Sequence, residues 1–231
     1  MGNIAIITAR GGSKRIPKKN IKDFCGKPIM AYSIQVALEV GLFDTVMVST
    51  DTEEIAKIAR KYGAEVPFMR SEVTSDDHAD TTDVLYEVIS EYKKRGYEFE
   101  TFCCIYPTAP FITPKKLRDS YALLRDQDVF NVIPMVPFSF PPQRGMIKYG
   151  KYIEPAYPEY INRRSQDLDE ILHDCGQFYW CKTEEFLKNP DILSNHTVPF
   201  VVPETEAQDI DNMSDWELAE IKYRYMKELK Q

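Results

Sequence analysis

The chain has 231 residues, 43% of them hydrophobic, with a net charge of −7. That is enough apolar material for one domain with a large core, and no apolar run approaches the ~20 residues that span a bilayer. The first residues lack the charged leader and cleavage site of a secretion signal, so a cytoplasmic protein without membrane association is expected.

Residues 4–8, Ile-Ala-Ile-Ile-Thr, have the pattern of a first strand. The loop that follows, Arg10-Gly11-Gly12-Ser13-Lys14-Arg15-Ile16-Pro17-Lys18-Lys19-Asn20, is the most informative segment of the chain. From Arg10 to Lys27 there are seven Lys/Arg and one acid, Asp23, in a chain that is acidic as a whole. Adjacent glycines let a backbone turn tightly and aim its N–H groups at an anion. A basic, glycine-containing loop after a strand points to a bound polyphosphate; the competing reading is a solvated basic turn. Two common phosphate motifs fail on residues. Gly11-Gly12-Ser13-Lys14 lacks the spacing of G-x-x-x-x-G-K-[ST], and no third glycine completes G-x-G-x-x-G.

A helix over 28–40 is opened by Pro28 and closed at Gly41. Residues 45–49 form a strand whose weak alternation implies burial on both faces. A helix over about 53–62 is capped by Asp51 or Thr52 and stopped by Gly63. Leu85, Val88, Ile89 and Tyr92 recur at helical spacing in a longer helix ending near Gly96. A strand over 101–106, a helix opened by Thr113-Pro114 and a strand over 129–136 follow. Cys103 and Cys104 must face opposite sides of their strand. With no C-x-x-C pair, all five cysteines are expected as free, mostly buried thiols. His78, His173 and His196 are too scattered for a zinc site.

From 137 to about 172 the rhythm breaks. Pro137, Pro141, Pro142, Pro155 and Pro158 bracket a short aromatic hairpin over 146–153, either a projecting arm or a long surface loop. Strands resume at 177–181 and 198–202, and Ser214-Asp215-Trp216-Glu217 has the form of a capping box for the last helix. Alternating strands and helices imply a largely parallel sheet between helical layers, with ligands at the carboxyl ends of the strands. Arg10, Asp51 and Tyr106 lie at or just past such ends and should line one crevice. Asp209 and Asp211, at i and i+2 of an extended segment, put two carboxylates on one face, where they meet one cation or form a surface acidic turn. Asp80-Thr81-Thr82 has the composition of a helix N-cap. His173-Asp174 is either a general base with its orienter or a structural pair.

The basic loop, followed by Gly26-Lys27-Pro28, resembles the motif of the CMP-sialic acid synthetases and related nucleotidyltransferases that activate acidic sugars with CTP. The similarity continues in order through Val48-Ser49-Thr50-Asp51, Tyr62-Gly63-Ala64, Pro107-Thr108-Ala109-Pro110, Gln166-Asp167-Leu168 and Asp209-Ile210-Asp211, nearly the whole chain. The runs Tyr106-Pro107-Thr108-Ala109-Pro110-Phe111 and His173-Asp174-Cys175-Gly176-Gln177-Phe178-Tyr179-Trp180 resemble most the branch acting on pseudaminic acid. The resemblance implies a three-layer α/β/α, Rossmann-like nucleotidyltransferase fold with a mainly parallel sheet. It implies a single domain, 1–231, whose inserted arm at about 137–172 reaches across a homodimer to the partner's site.

The implied reaction is attack of a sugar's anomeric hydroxyl on the α-phosphorus of CTP, with pyrophosphate leaving. By resemblance, Arg10 and Lys19 contact the phosphates, aided by Arg15 and the N–H groups of Gly11, Gly12 and Ser13; Lys14, Lys18 and Lys22 are expected to be solvated. Asp209 and Asp211 hold Mg²⁺, and Arg10, Lys19 and Asp211 carry the chemistry. Asn20 and Arg70 select the base, with Asp80 and Thr81 near the nucleoside. Tyr106, Arg163, Arg164, Gln166, Gln177, Phe178 and Tyr179 receive the sugar, one of the two arginines meeting its carboxylate. Sialic acid enzymes carry a glutamine in place of Tyr106. The bulkier ring here puts N-acetylneuraminic acid in doubt and suits a deoxy, diacetamido sugar such as pseudaminic acid, with legionaminic acid, sialic acid and Kdo as alternatives in falling order. A nucleotide-binding regulator without catalysis is the alternative of another class. A nucleic-acid binder is disfavoured by the net charge of −7.

Overall fold

The computed structural model describes residues 2–76 and 79–229; His78 lies outside them. In chain order the elements are β1 (Gly2–Thr8), β2 (Asp23–Phe24), β3 (Lys27–Pro28), α1 (Ile29–Val40), β4 (Thr45–Ser49), α2 (Glu53–Lys61), α3 (Thr81–Lys94), β5 (Phe99–Ile105), α4 (Pro114–Leu124) and β6 (Asn131–Pro137). Then come β7 (Met146–Tyr149), β8 (Tyr152–Pro155), β9 (Leu172–Asp174), β10 (Phe178–Lys182), α5 (Thr183–Lys188), β11 (Thr197–Val201) and α6 (Met213–Glu228).

One sheet runs in the order β11-β6-β10-β5-β1-β4, with β9 added beside β6. β1 pairs in parallel with β4 and β5, and β11 with β6. β10 is antiparallel to both β5 and β6, and β9 is antiparallel to β6. The sheet is therefore mainly parallel, as expected, with two reversed strands that return the chain after the arm. Alternation along β1 assigns the faces. Ala5 and Ile7 pack with Met30, Ile34, Ile55 and Leu117 of α1, α2 and α4. Ile4 and Ile6 pack with Leu85, Val88 and Ile89 of α3 and Phe186 of α5. Helices cover both faces, which makes three layers. Cys103 and Cys104 fall into opposite cores as the strand period requires. All five cysteines are free, and burial raises the thiols of Cys175 and Cys181 to about 12.

A third cluster gathers Ile16, Phe24, Ile29, Tyr32, Phe111, Ile210, Trp216 and Tyr223. It docks α6 and the Asp209–Asp211 segment onto the base of the N-terminal loop, and each fully buried aliphatic side chain there contributes about 1.5–3 kcal/mol. The hairpin β7–β8 stands apart as its own two-stranded ribbon, with Met146, Ile147, Tyr149, Tyr152 and Ile153 exposed. No helix of the described residues is long and apolar enough to cross a membrane.

Two helix ends differ from expectation, and a third is settled between its two candidates. Pro28 is the cap residue of α1 rather than its first helical residue. Thr52, not Asp51, caps α2 by accepting the Ile55 N–H, which releases Asp51 for other work. The capping box of α6 starts two residues earlier than Ser214. Asn212 accepts from Asp215 N–H while Asp215 accepts from Asn212 N–H, so Asp215 serves as the returning acid rather than as part of a Ser214 cap. Both Ser and Asn suit a cap by residue type, and the tertiary docking of Trp216 selects the register.

Candidate active site

The N-terminal loop is held by side chains of the next strand end. Ala9 N–H donates to Ser49 O at 2.9 Å, and Gly11 N–H donates to Asp51 Oδ1 at 2.8 Å. Ser13 N–H donates to Gly11 O at 3.0 Å, and Asn20 Nδ2 donates to Arg10 O at 2.8 Å, tying the end of the loop to its start. Of the three N–H groups expected at the phosphates, those of Gly11 and Ser13 thus build the loop itself, leaving Gly12's for a ligand. Neither Gly11 nor Gly12 has positive φ. Gly11 is required for space instead: a Cβ there would stand 2.4 Å from Thr52 Cγ2. The left-handed backbone of this loop is at Lys18, φ 53°, where a turn aims Lys19 and Asn20 inward.

A cleft of about 680 Å³ opens at the carboxyl ends of β1 and β5. Arg10, Gly12, Ser13, Lys14, Arg15, Lys19 and Asn20 line it together with Arg70, Asp80, Thr81, Tyr106, Pro107 and Thr108. The expected nucleotide residues, apart from Gly11, are thereby brought into one crevice. Asp51 anchors it from behind. Arg70 is buried, with Nε donating to Ser49 Oγ at 3.0 Å and Nη2 to Ser49 O at 2.8 Å; burial lowers its pKa. Arg10 Nη1 donates to Asp76 O at 3.0 Å. Asp80 is the capping residue of α3 and also lines the cleft, so both readings of that segment hold.

Beside the cationic loop lies the acid pair. Lys19 Nζ donates to Ile210 O at 2.6 Å, and Arg15 Nη2 pairs with Asp211 Oδ1 at 2.7 Å. Burial of Ile210 between them sends Asp209 and Asp211 outward together. The pKa of Asp209 is raised, first by desolvation and then by the charge of Asp211, with Lys19 opposing. Lys19 is lowered by burial, against the pull of both carboxylates. A carboxylate whose pKa is raised by a neighbouring like charge marks a place where a cation is favourable.

The residues expected at the sugar divide. Tyr106 lines the cleft, with its hydroxyl 3.1 Å from Thr81 Oγ1 and its ring 5.2 Å from that of Tyr179. Tyr179 is buried behind it. Phe178 is fully buried in the opposite core, because neighbours in a strand face opposite ways, and has no surface for a sugar. Gln177 is also buried, and its Nε2 donates to Glu206 O at 2.7 Å, which steadies the chain leading to Asp209. Arg163, Arg164 and Gln166 lie on the exposed arm, outside the cleft of their own chain. Arg164 pairs with Asp167 at 2.8 Å, and Arg163 stacks on Tyr160. His173 and Asp174 are not a base with its orienter: His173 Nδ1 meets Asp174's backbone oxygen, at 2.8 Å.

The sequence model of the cytidylyltransferase family matches residues 4–137, the stretch from β1 through β6 that builds the cleft. The chain belongs to the cytidylyltransferase family. A pseudaminic acid cytidylyltransferase of Campylobacter jejuni is 39% identical over 226 residues, covering 97% of each chain. A CMP-N,N'-diacetyllegionaminic acid synthase of Legionella pneumophila is 29% identical over 226 residues, covering 94% of each. Among solved structures, a CMP:2-keto-3-deoxy-manno-octonic acid synthetase complexed with CTP superposes with a TM-score of 0.69 at 19% identity. It covers 99% of this chain and 100% of its own, a likeness of fold.

In this cytidylyltransferase Lys14 and Lys18 are exposed as expected, Lys14 at the edge of the cleft and Lys18 paired with Glu54 at 2.6 Å, while Lys22 is partly buried, 5.6 Å from the Trp216 ring. Sequence reasoning missed Asp51 as the loop's anchor and Ser49 as the partner of Arg70. Both sit in the Val48-Ser49-Thr50-Asp51 run at a strand end, where position is a signal. It also missed Lys116, which is buried and pairs with Glu206 at 2.8 Å. Nothing in the local sequence marks that pairing.

Proposed function

We propose that this cytidylyltransferase joins CTP and pseudaminic acid to give the CMP-sugar and pyrophosphate. The observation that carries the reading is the Tyr106 wall, which lines the cleft together with the Arg10–Asn20 loop and is matched by the 39% identity to a pseudaminic acid enzyme. The sugar's anomeric oxygen bonds to the α-phosphorus as the bridging α–β P–O bond breaks, and the hydroxyl proton passes to water. Both reactants are anionic, so the dominant barrier is electrostatic. Arg10 meets the polyphosphate with a bidentate fork and Lys19 with a point charge, and Gly12 N–H adds a donor. Arg15 shares this work. Asn20 and Arg70 face the cytosine, with Asp80 and Thr81 beside the nucleoside.

Asp209 and Asp211 fit a divalent cation. Among the described residues no cluster of three or more acids, histidines or cysteines is placed to hold a metal ion. Two carboxylates then leave the other positions to phosphate oxygens and water, the mixture Mg²⁺ favours. When bound, the ion neutralises phosphate charge. Free thiols suit a reducing cytoplasm.

Pyrophosphate release with CTP and Mg²⁺ is expected with pseudaminic acid and not with legionaminic or N-acetylneuraminic acid. Release with another sugar instead would keep the chemistry and discard the substrate. The legionaminic acid reading is the runner-up, supported by the Legionella relative.

We further propose that the exposed arm brings Arg163, Arg164 and Gln166 to the cleft of a second copy in a homodimer. Arg164→Ala and Arg10→Ala proteins, each inactive alone, are expected to recover part of the activity when mixed as heterodimers. No recovery in confirmed heterodimers would count against a shared site.

A further inference from the structure

We infer that Asp174 is a positioning residue for the acceptor side of the cleft: through Tyr179 and its own turn it sets where Tyr106 stands relative to Asp209. The inference rests on the reading of Tyr106 as the wall of the sugar site.

Asp174 ends β9 at the surface and does not line the cleft. Its carboxylate makes two bonds. Oδ1 accepts the Gly176 N–H at 2.8 Å, closing a tight turn, and Oδ2 accepts the Tyr179 hydroxyl at 2.5 Å. Gly176 has φ +62°, and a Cβ there would lie 3.7 Å from Asp209 Oδ1 and 3.8 Å from Tyr106 Cδ2. This turn is therefore the seam between the aromatic wall and the acid pair, and one carboxylate holds it closed.

The Tyr179 hydroxyl donates to Asp174 Oδ2, and this bond fixes the Tyr179 ring, which is buried behind Tyr106 with the two ring centroids 5.2 Å apart. Tyr106 in turn lines the cleft. Asp174 acts on a surface it does not line by fixing the ring against which Tyr106 packs.

The test uses Asp174→Ala, Tyr179→Phe and the double variant in the full chain. Each single change is expected to raise the KM for the sugar about tenfold while the KM for CTP stays within about twofold, and the double is expected to be no worse than the worse single. Loss of fold would instead raise both KM values and lower the melting temperature. A second readout needs no sugar. The Tyr106 ¹³Cζ resonance, assigned with Tyr106→Phe, is expected to shift in Asp174→Ala and in Tyr179→Phe. An unmoved Tyr106 resonance, additive effects in the double variant, or equal rises in both KM values would overturn the inference. Should the wild-type protein turn over no sugar at all, the proposed function fails while the resonance still reports on how Tyr179 seats Tyr106.

Discussion

Replacing Asp211 by alanine is expected to lower kcat/KM about 10³-fold, on the order of 4 kcal/mol of transition-state stabilisation, with the fold intact. The two halves of this expectation have separate causes. The Arg15–Asp211 ion pair is exposed, at 68% and 43% for the two side chains. A pair in that setting contributes about 0–1 kcal/mol, so the melting temperature should fall by no more than about 4 °C. In the proposed reading the carboxylate would be one of the pair that holds a divalent cation, and removing one of the two would forfeit most of that hold. Chelation of the wild-type protein should reproduce the loss. Near-normal turnover by the variant would remove Asp209 and Asp211 from the cation site.

Gly11→Ala is expected to cost about 10²-fold in kcat/KM, because displacing the phosphate loop by about 1 Å misaligns the groups that meet the phosphates. The added methyl would lie 2.4 Å from Thr52 Cγ2, too close to keep, while the next atoms, Asp51 Oδ1 and Thr52 Cβ, stand at an ordinary 3.6 Å. The clash is thus with one methyl group. Thr52→Ser deletes that methyl and keeps the hydroxyl that caps α2, so the Gly11→Ala/Thr52→Ser protein should regain most of the lost activity. A fully active Gly11→Ala protein would show that the loop is not wedged against α2. A double variant as poor as the single would place the cause elsewhere.

Much of the fold is legible residue by residue. The 3.6-residue spacing of Leu85, Val88, Ile89 and Tyr92 does lie on the buried face of α3, and Thr113-Pro114 does open α4 with Thr113 as its cap. Such features depend on neighbours within a few positions, and the chain states them directly. The basic loop was legible in composition, and it does stand at the cleft. Its internal wiring was not. That Gly11 N–H goes to Asp51 and Gly11's missing side chain makes room for Thr52 depends on how β1 and β4 lie side by side. The same applies to Phe178: the motif that suggested a sugar contact cannot tell which face of β10 turns toward α4, and pairing with β5 settles it.

By itself the sequence determined the alternation of strands and helices, the basic loop and the doublet of acids, because period, caps and charge runs are local properties. Only the tertiary structure decided that loop and acids come together. Ile16 follows Arg15 and Ile210 lies between Asp209 and Asp211, and both isoleucines are buried in the cluster under α6. Burying the two isoleucines against each other's surroundings carries Arg15 to Asp211 and Lys19 to Ile210 O, a contact spanning 191 positions of chain. The physical reason is that a buried apolar residue beside a charged one fixes where the charge points, and its partner can lie anywhere in the chain.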